Sequence, residues 1–214
     1  MSLPYAGMAS TPPAPERPVL RARYEGRRAE VIAAAAKQFA ENGYTATSIA
    51  DLTEATGLAA GGLYHYIGSK EALLVAICDE LLEPLLAQAR EIAASDELSP
   101  KGQLRALLRA WLAHIETHRD HMLVFSQERQ VIEREPQWRA VRRARKDFEE
   151  VLDEILRRGE ESGAMAFEDR GLTLLALLGM VNYTPQWLRP RGRLSAEQIA
   201  DRYCDLILRA GAPV

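Results

Sequence analysis

Apolar residues recur three and four positions apart from Arg21 onward, and no stretch shows the period-of-two alternation of a half-buried strand. The pattern predicts an all-α chain. A first helix over about Arg23 to Glu41 places Val31, Ala34, Ala35, Phe39 and Ala40 on one face, and Asn42-Gly43 ends it. Thr47 is the expected N-cap of a second helix carrying Ile49, Leu52 and Ala55. Gly57 supplies a turn, and a third helix runs over about Ala59 to Tyr66. Ser69 caps a longer fourth helix with an apolar stripe of Leu73, Leu74, Ile77, Leu81, Leu85 and Leu86. Pro84 inside that stripe removes a backbone donor and is expected to kink it.

Downstream, Ser99-Pro100 reads as an N-cap with proline at the first helical position, opening a helix with Leu104, Leu107, Leu108, Trp111, Leu112 and Ile115. Further helices are expected over about Asp120 to Arg134, from Pro136 to about Glu161 before Gly163, and from an Asp169 cap to near Pro190. Ser195-Ala196-Glu197-Gln198 is a capping box for the last helix, closed by Gly211. Nine or ten helices result, with no repeat period. Residues 1–20 hold five of the eleven prolines and too little apolar surface for a core, so they read as a disordered tail.

The second and third helices, joined at Thr56-Gly57-Leu58, form a helix-turn-helix. The third opens with Ala59, Ala60, Gly61 and Gly62, so its backbone can approach a DNA major groove closely. Glycine in a helix costs about 1 kcal/mol relative to alanine, which close approach would explain. The alternative is a plain three-helix bundle whose glycines aid packing. Tyr64 and His65 can reach a phosphate or base edge. Lys70, at a helix N-terminus, joins its charge to free backbone donors.

From about Arg28 to Leu74 the chain resembles the TetR family of bacterial transcriptional regulators. The resemblance rests on Phe39, Gly43-Tyr44, Thr47 to Leu52, Ala55 to Leu58, Gly61, Leu63 to Tyr66 and Ser69 to Leu74. It implies a homodimeric repressor that binds double-stranded, near-palindromic operator DNA. It also implies a larger C-terminal helical domain that holds an effector and forms the dimer. The implied boundaries are a tail over 1–20, a helix-turn-helix domain over 21–68 and a ligand-binding and dimerisation domain over 69–214. Carried over by position, Thr47 and Tyr64 contact phosphates, Lys70 anchors the fourth helix, and the third helix reads bases. The DNA-binding set is then Thr47, Ser48, Ala59, Ala60, Gly62, Tyr64, His65 and Lys70. The chain departs from the family where serine often opens the third helix (here Ala59) and where lysine or arginine often follows (Ala60). Ile67 stands in place of the usual phenylalanine. Base reading is left to thymine methyls against the alanines, to His65 and to DNA shape.

A net charge of −3 is mildly against nucleic-acid binding, but the charge is unevenly placed. Arg17, Arg21, Arg23, Arg27 and Arg28 crowd ahead of the helix-turn-helix, with Glu16 and Glu25 the only acids among them, which leaves a basic edge. The two cysteines, Cys78 and Cys204, have no metal or disulfide spacing, and a reduced, cytoplasmic setting is expected. The longest apolar run, Leu172 to Val181, is far short of the ~20 residues of a membrane span, so no membrane partner is expected.

For the C-terminal domain, Trp111, Phe125, Leu175, Met180, Tyr183 and Trp187 are candidates for an apolar effector lining. Gln127, Arg129, Asn182, Arg189 and Arg191 are candidates for its polar groups. The set singled out for ligand binding is Trp111, Phe125, Arg129, Asn182, Trp187 and Arg189, though each apolar residue reads equally as core. The segments Leu178 to Tyr183 and Trp187 to Ser195 resemble TetR-type regulators of fatty-acid and steroid degradation, which implies a CoA thioester as effector. An acyl group needs an apolar tunnel, and CoA phosphates need arginines near its mouth. Another hydrophobic ligand, or a plain dimer interface with a basic loop, fits the same residues. His114, His118 and His121 share a helix face, but no further ligand completes a zinc site, so neither metal nor cofactor is expected. The run Arg142 to Glu150 reads as a solvated face with pairs Arg145–Glu149 and Lys146–Glu150. No nucleophile motif or phosphate loop suggests an enzyme. The remaining alternative is a TetR-like activator or interaction protein without a small-molecule effector.

Overall fold

The computed structural model describes residues 14–129, 132, 138–189 and 192–210, and within them nine helices and no strand. In chain order these are α1 (Pro18–Asn42), α2 (Ile49–Thr56), α3 (Ala60–Ile67), α4 (Lys70–Ala94) and α5 (Pro100–Thr117). Then follow α6 (Arg119–Gln127), α7 (Arg139–Glu161), α8 (Arg170–Trp187) and α9 (Ala196–Ala210). No described helix is long and apolar enough to cross a membrane. The chain divides into two compact units, Met1–Cys78 and Asp79–Val214, so α4 begins in one and ends in the other.

In the first unit, Val31, Ile32, Ala35 and Phe39 of α1 meet Leu52 of α2, Leu63 and Ile67 of α3, and Leu73, Leu74 and Ile77 of α4 in a dry core. Two expectations change here. α1 starts at Pro18, ahead of Arg23, so residues 18–20 are helical and not tail. Proline presets the first turn, and the Arg21 amide donates to the Arg17 carbonyl at 2.8 Å. The N-cap of α2 is Ser48, not Thr47. Thr47 is only 2% exposed and its hydroxyl donates backward to the Gly43 carbonyl at 2.8 Å, while it is the Ser48 hydroxyl that accepts from the Asp51 amide at 3.2 Å. Ser48 instead forms a reciprocal capping box with Asp51.

In the second unit α5 is central, with α6, α7, α8 and α9 packed around it. Its buried stripe runs from Leu104 to Ile115, and Trp111 meets the Phe148 ring of α7 edge-on at 4.7 Å. Its other side is clasped to α9: Arg109 grips Asp201 with two hydrogen bonds of 2.7 Å, and Arg105 reaches Asp201 at 3.1 Å and Asp205 at 2.6 Å. The caps expected at Ser99, Asp169 and Ser195 all form. α4 continues through Pro84 to Ala94, so the proline does not end it, although it has no N–H to give the Glu80 carbonyl. α6 stops at Gln127, short of the expected Arg134, because the Glu128 backbone leaves the helical region. α7 is helical from Arg139, and the expected start at Pro136, like Arg134, Pro190, Arg191 and Gly211, lies outside the described residues.

Candidate nucleic-acid interface

The α2–α3 turn depends on Gly57, whose φ of 66° and ψ of 18° lie in the left-handed region that favours glycine. α3 then presents two unlike sides. Leu63 and Ile67 point into the core, while Ala60, Gly61, Tyr64 and His65 form an outer face, with Tyr64 42% exposed. The outer face is bare by composition and not by need of the fold. A Cβ added at Gly61 would meet nothing within 4 Å, and one at Gly62 would only touch Leu58 at 3.9 Å. Packing therefore does not explain the glycines. Ala59 is the N-cap residue of α3 but gives it no side-chain cap, so the first amides of α3 point outward unpaired by any side chain.

His65 is held from outside α3. The Tyr24 hydroxyl of α1 donates to the His65 carbonyl at 3.3 Å, and the two rings meet edge-on at 5.5 Å. Arg27 of α1 donates to the Thr56 carbonyl at 3.1 Å, tying α1 to the end of α2. Neither α1 contact was expected from the sequence. The one available signal was Tyr24 lying seven residues before Val31, on the buried side of α1.

A polar patch lies at the start of α2 and α4. The Ser69 hydroxyl accepts from the Ala72 amide at 3.0 Å, capping α4 as expected. The Lys70 ammonium lies 4.5 Å from the centre of the Tyr44 ring and 5.9 Å from that of Phe39. The Asp51 carboxyl is held below its ordinary range, first by the Ser48 amide, then by the Ser48 hydroxyl, with a smaller pull from the Lys70 charge. Asp51 was also missed, although Ser48-x-x-Asp51 is a capping signature. Of the candidate residues, Ser48, Ala59, Ala60, Tyr64 and His65 are exposed, and Gly62 and Lys70 half-buried. Thr47 is buried, so its hydroxyl does not face solvent.

The ligand candidates are not brought together in one enclosed pocket. Trp111 is core, Phe125 and Asn182 are half-buried, and Arg129 and Arg189 are exposed. Trp187, Tyr183 and Leu175 are 44%, 66% and 65% exposed. The reason is that α8 is apolar all round, so its sequence does not say which side faces inward. Leu177, Val181, Thr184 and Pro185 are buried, while Leu172, Leu175, Gly179 and Tyr183 form the opposite, exposed stripe. An open depression of about 720 Å³ runs along Asp201, Arg202, Asp205, Leu206 and Arg209 of α9, and none of the candidates lines it.

His114, His118 and His121 do cluster, with ring centres 4.2 and 5.5 Å apart. His114 Nε2 is 2.8 Å from the Leu81 carbonyl, and His121 Nε2 lies 3.4 Å from a Glu80 carboxylate oxygen. Among the described residues no group of three or more His, Cys, Asp or Glu is arranged to hold a metal ion. The Arg145–Glu149 and Lys146–Glu150 pairs form, each at 3.4 Å.

Comparison with known proteins agrees with this arrangement. Residues 31–77 match the profile of the bacterial regulatory proteins of the tetR family, and residues 97–210 match the tetracyclin repressor-like C-terminal domain. The HTH-type transcriptional repressor KstR2 of Mycobacterium tuberculosis is 28% identical over 183 residues, 85% of this chain and 91% of that one. The TetR-family regulator PfmR from Thermus thermophilus superposes with a TM-score of 0.76 at 36% identity, covering 86% of this chain and 99% of PfmR. AibR, in its complex with isovaleryl coenzyme A and operator DNA, gives a TM-score of 0.74 at 25% identity, covering 85% of this chain and 98% of AibR. With a helix-turn-helix in its first unit and both parts of its length matched, this chain belongs to the TetR family of DNA-binding transcriptional regulators.

Proposed function

We propose that this regulator is a homodimeric repressor that holds a near-palindromic operator through α3 and releases it on binding a small hydrophobic effector, an acyl-CoA thioester. The observation that carries the DNA half is the unneeded bareness of α3: Gly61 and Gly62 have room for a Cβ, yet the face remains stripped to backbone. Ala59, Ala60 and Gly62 then lie against base edges and thymine methyls, with His65 at the far end of the helix. Tyr64, Ser48 and Lys70 bind flanking phosphates, and the buried Thr47 serves by shaping the turn before α2.

The exposed stripe of α8, continued by Leu206 of α9 at 58% exposure, supports dimerisation, because an apolar face of that kind marks an interaction surface. A dimer places two α3 helices on half-sites one helical turn apart. Support for the effector comes from the similarity to AibR, which binds isovaleryl coenzyme A. Phe125, Asn182 and Trp187 then contact the acyl part and Arg129 and Arg189 the CoA phosphates, drawn together by the effector because the free chain does not enclose them. Trp111 packs against Phe148 in the core.

Fluorescence anisotropy tests the reading, using labelled duplexes tiled across the region upstream of the protein's own gene. One duplex should bind far more tightly than its scrambled version, and a panel of acyl-CoAs should include one that reverses binding while free CoA does not. Tight binding that no acyl-CoA or free hydrophobic acid reverses would point instead to an activator or interaction protein without an effector. Absence of any sequence preference would overturn the DNA reading.

A further inference from the structure

α1 opens at Pro18, whereas the match to the N-terminal family profile opens at residue 31. The turns in between are solvent-exposed throughout residues 16–23, including Val19 at 74%, so burial does not explain why the helix is prolonged. They do carry charge. Arg17, Arg21, Arg23, Arg27 and Arg28 face Glu16, Glu25 and Glu30 up to that point, an excess of basic groups in a chain with a net charge of −3. Arg27 is committed to Glu30 and the Thr56 carbonyl. Arg21 meets Glu25 at 2.7 Å on an open surface, where a phosphate can displace the carboxylate at little cost. Arg17, Arg23 and Arg28 have no ion-pair partner among the described residues.

Their placement is set by Tyr24. This residue is 7% exposed and fixes one face of α1 to α3 through the His65 carbonyl and ring contacts with His65 and Tyr66. At about 100° per residue, Arg17, Arg21 and Arg28 all fall within about 60° of Tyr24 on the helix circumference. At about 1.5 Å per residue, Arg17 lies about 10 Å beyond Tyr24, past the point where α3 covers that face. Arg17 and Arg21 thus continue the clamped face outward, and Arg28, half-buried, follows about one turn after Tyr24 on the same side.

We propose that the leading turns of α1 are a second DNA contact, in which Arg17, Arg21 and Arg28 neutralise phosphates flanking the groove that α3 enters. This rests on the DNA-binding reading above. The contact adds affinity without sequence preference, and it offsets the acidic balance of the chain where the duplex approaches.

The test uses the full chain and the upstream duplex preferred by the wild type, with a scrambled duplex of equal length, titrated across a KCl series. Each lost phosphate contact lowers the slope of log affinity against log salt by about 0.9. The triple variant R17Q/R21Q/R28Q removes three contacts from each protomer of the dimer and should therefore lose about 5.4 from that slope. It should weaken on both duplexes by the same factor and keep the wild-type preference. Should the half-buried Arg28 matter for folding, seen as a lowered thermal midpoint, R17Q/R21Q changes exposed positions only and should lose about 3.6 for the dimer. An unchanged slope in a folded variant overturns the proposal while leaving α3 as the reader. A loss of preference overturns it too, since these arginines would then be reading bases. A wild type with no preference for any duplex removes the DNA reading itself, and this contact with it.

Discussion

The Lys70 ammonium sits over the Tyr44 ring, 4.5 Å from its centre, on the surface where α2 and α4 begin. On the function proposed above, a lysine there has two competing hosts, the aromatic face in the free protein and a phosphate in the complex. The ring holds the long side chain in place and so reduces the entropy lost on binding DNA. Lys70→Ala should weaken operator binding at least tenfold and lower the salt slope by about 1.8, in line with one charged phosphate contact from each protomer of the dimer. Tyr44→Leu should weaken binding by less and leave the salt slope unchanged, because the charge remains. Anisotropy titrations at several KCl concentrations separate the two effects.

Gly61→Ala is expected to move stability and binding in opposite directions. The added Cβ meets nothing within 4 Å, and alanine is favoured over glycine in a helix by about 1 kcal/mol. Thermal melts should therefore show a more stable protein. Operator affinity should fall, and Gly61→Val should bind more weakly still. A glycine serving the packing of α3 would give the reverse, a destabilised variant.

His114 predicts a dependence on mildly acidic pH. Burial, then the neighbouring His118, hold its pKa below the ordinary 6.5, against the hydrogen bond to the Leu81 carbonyl, and His121 adds to the lowering. The unfolded chain thus binds a proton at His114 before the folded one does. Stability should decline as pH falls below about 6.5, until the folded-state pKa is passed. Urea midpoints for the wild type should drop across that range, and those of His114→Gln should drop less steeply.

The α5–α9 clasp predicts a second, more acidic transition. Hydrogen bonds from Arg109, then the smaller ones from Arg105, hold the Asp201 carboxyl below its ordinary 3.8. Its contribution is present above that value and is lost as pH falls through the lower, folded-state one. Asp201→Asn should be less stable at neutral pH and show a shallower acid-unfolding curve by circular dichroism.

The outer stripe of α8 should govern association. Leu175→Glu and Tyr183→Glu place charge on exposed positions that the protomer core does not use. Each variant should stay folded, shift from dimer to monomer in sedimentation, and lose operator affinity because half-sites are no longer bound together. A folded variant that sediments like the wild type would place the dimer elsewhere.

The sequence alone was enough for the helices and the helix-turn-helix. Period-3.6 patterning, the Ser99, Asp169 and Ser195 caps, and the Gly57 turn are local features, and local features fix local structure. It placed the α2 cap one residue early because Thr47 and Ser48 are chemically equivalent caps, and only the fold puts the Ser48 oxygen, not that of Thr47, on the Asp51 amide. Packing of the helices is what sets which side of α8 faces inward, since a helix apolar on every side carries no directional signal. It alone paired Tyr24 with His65, far apart in the chain, and so set Arg17 and Arg21 on the outward continuation of the clamped face. It also gathered the histidines of α5 and α6 against Glu80 and the Leu81 carbonyl of α4. Contacts of that range depend on how helices pack, and no local spacing encodes them.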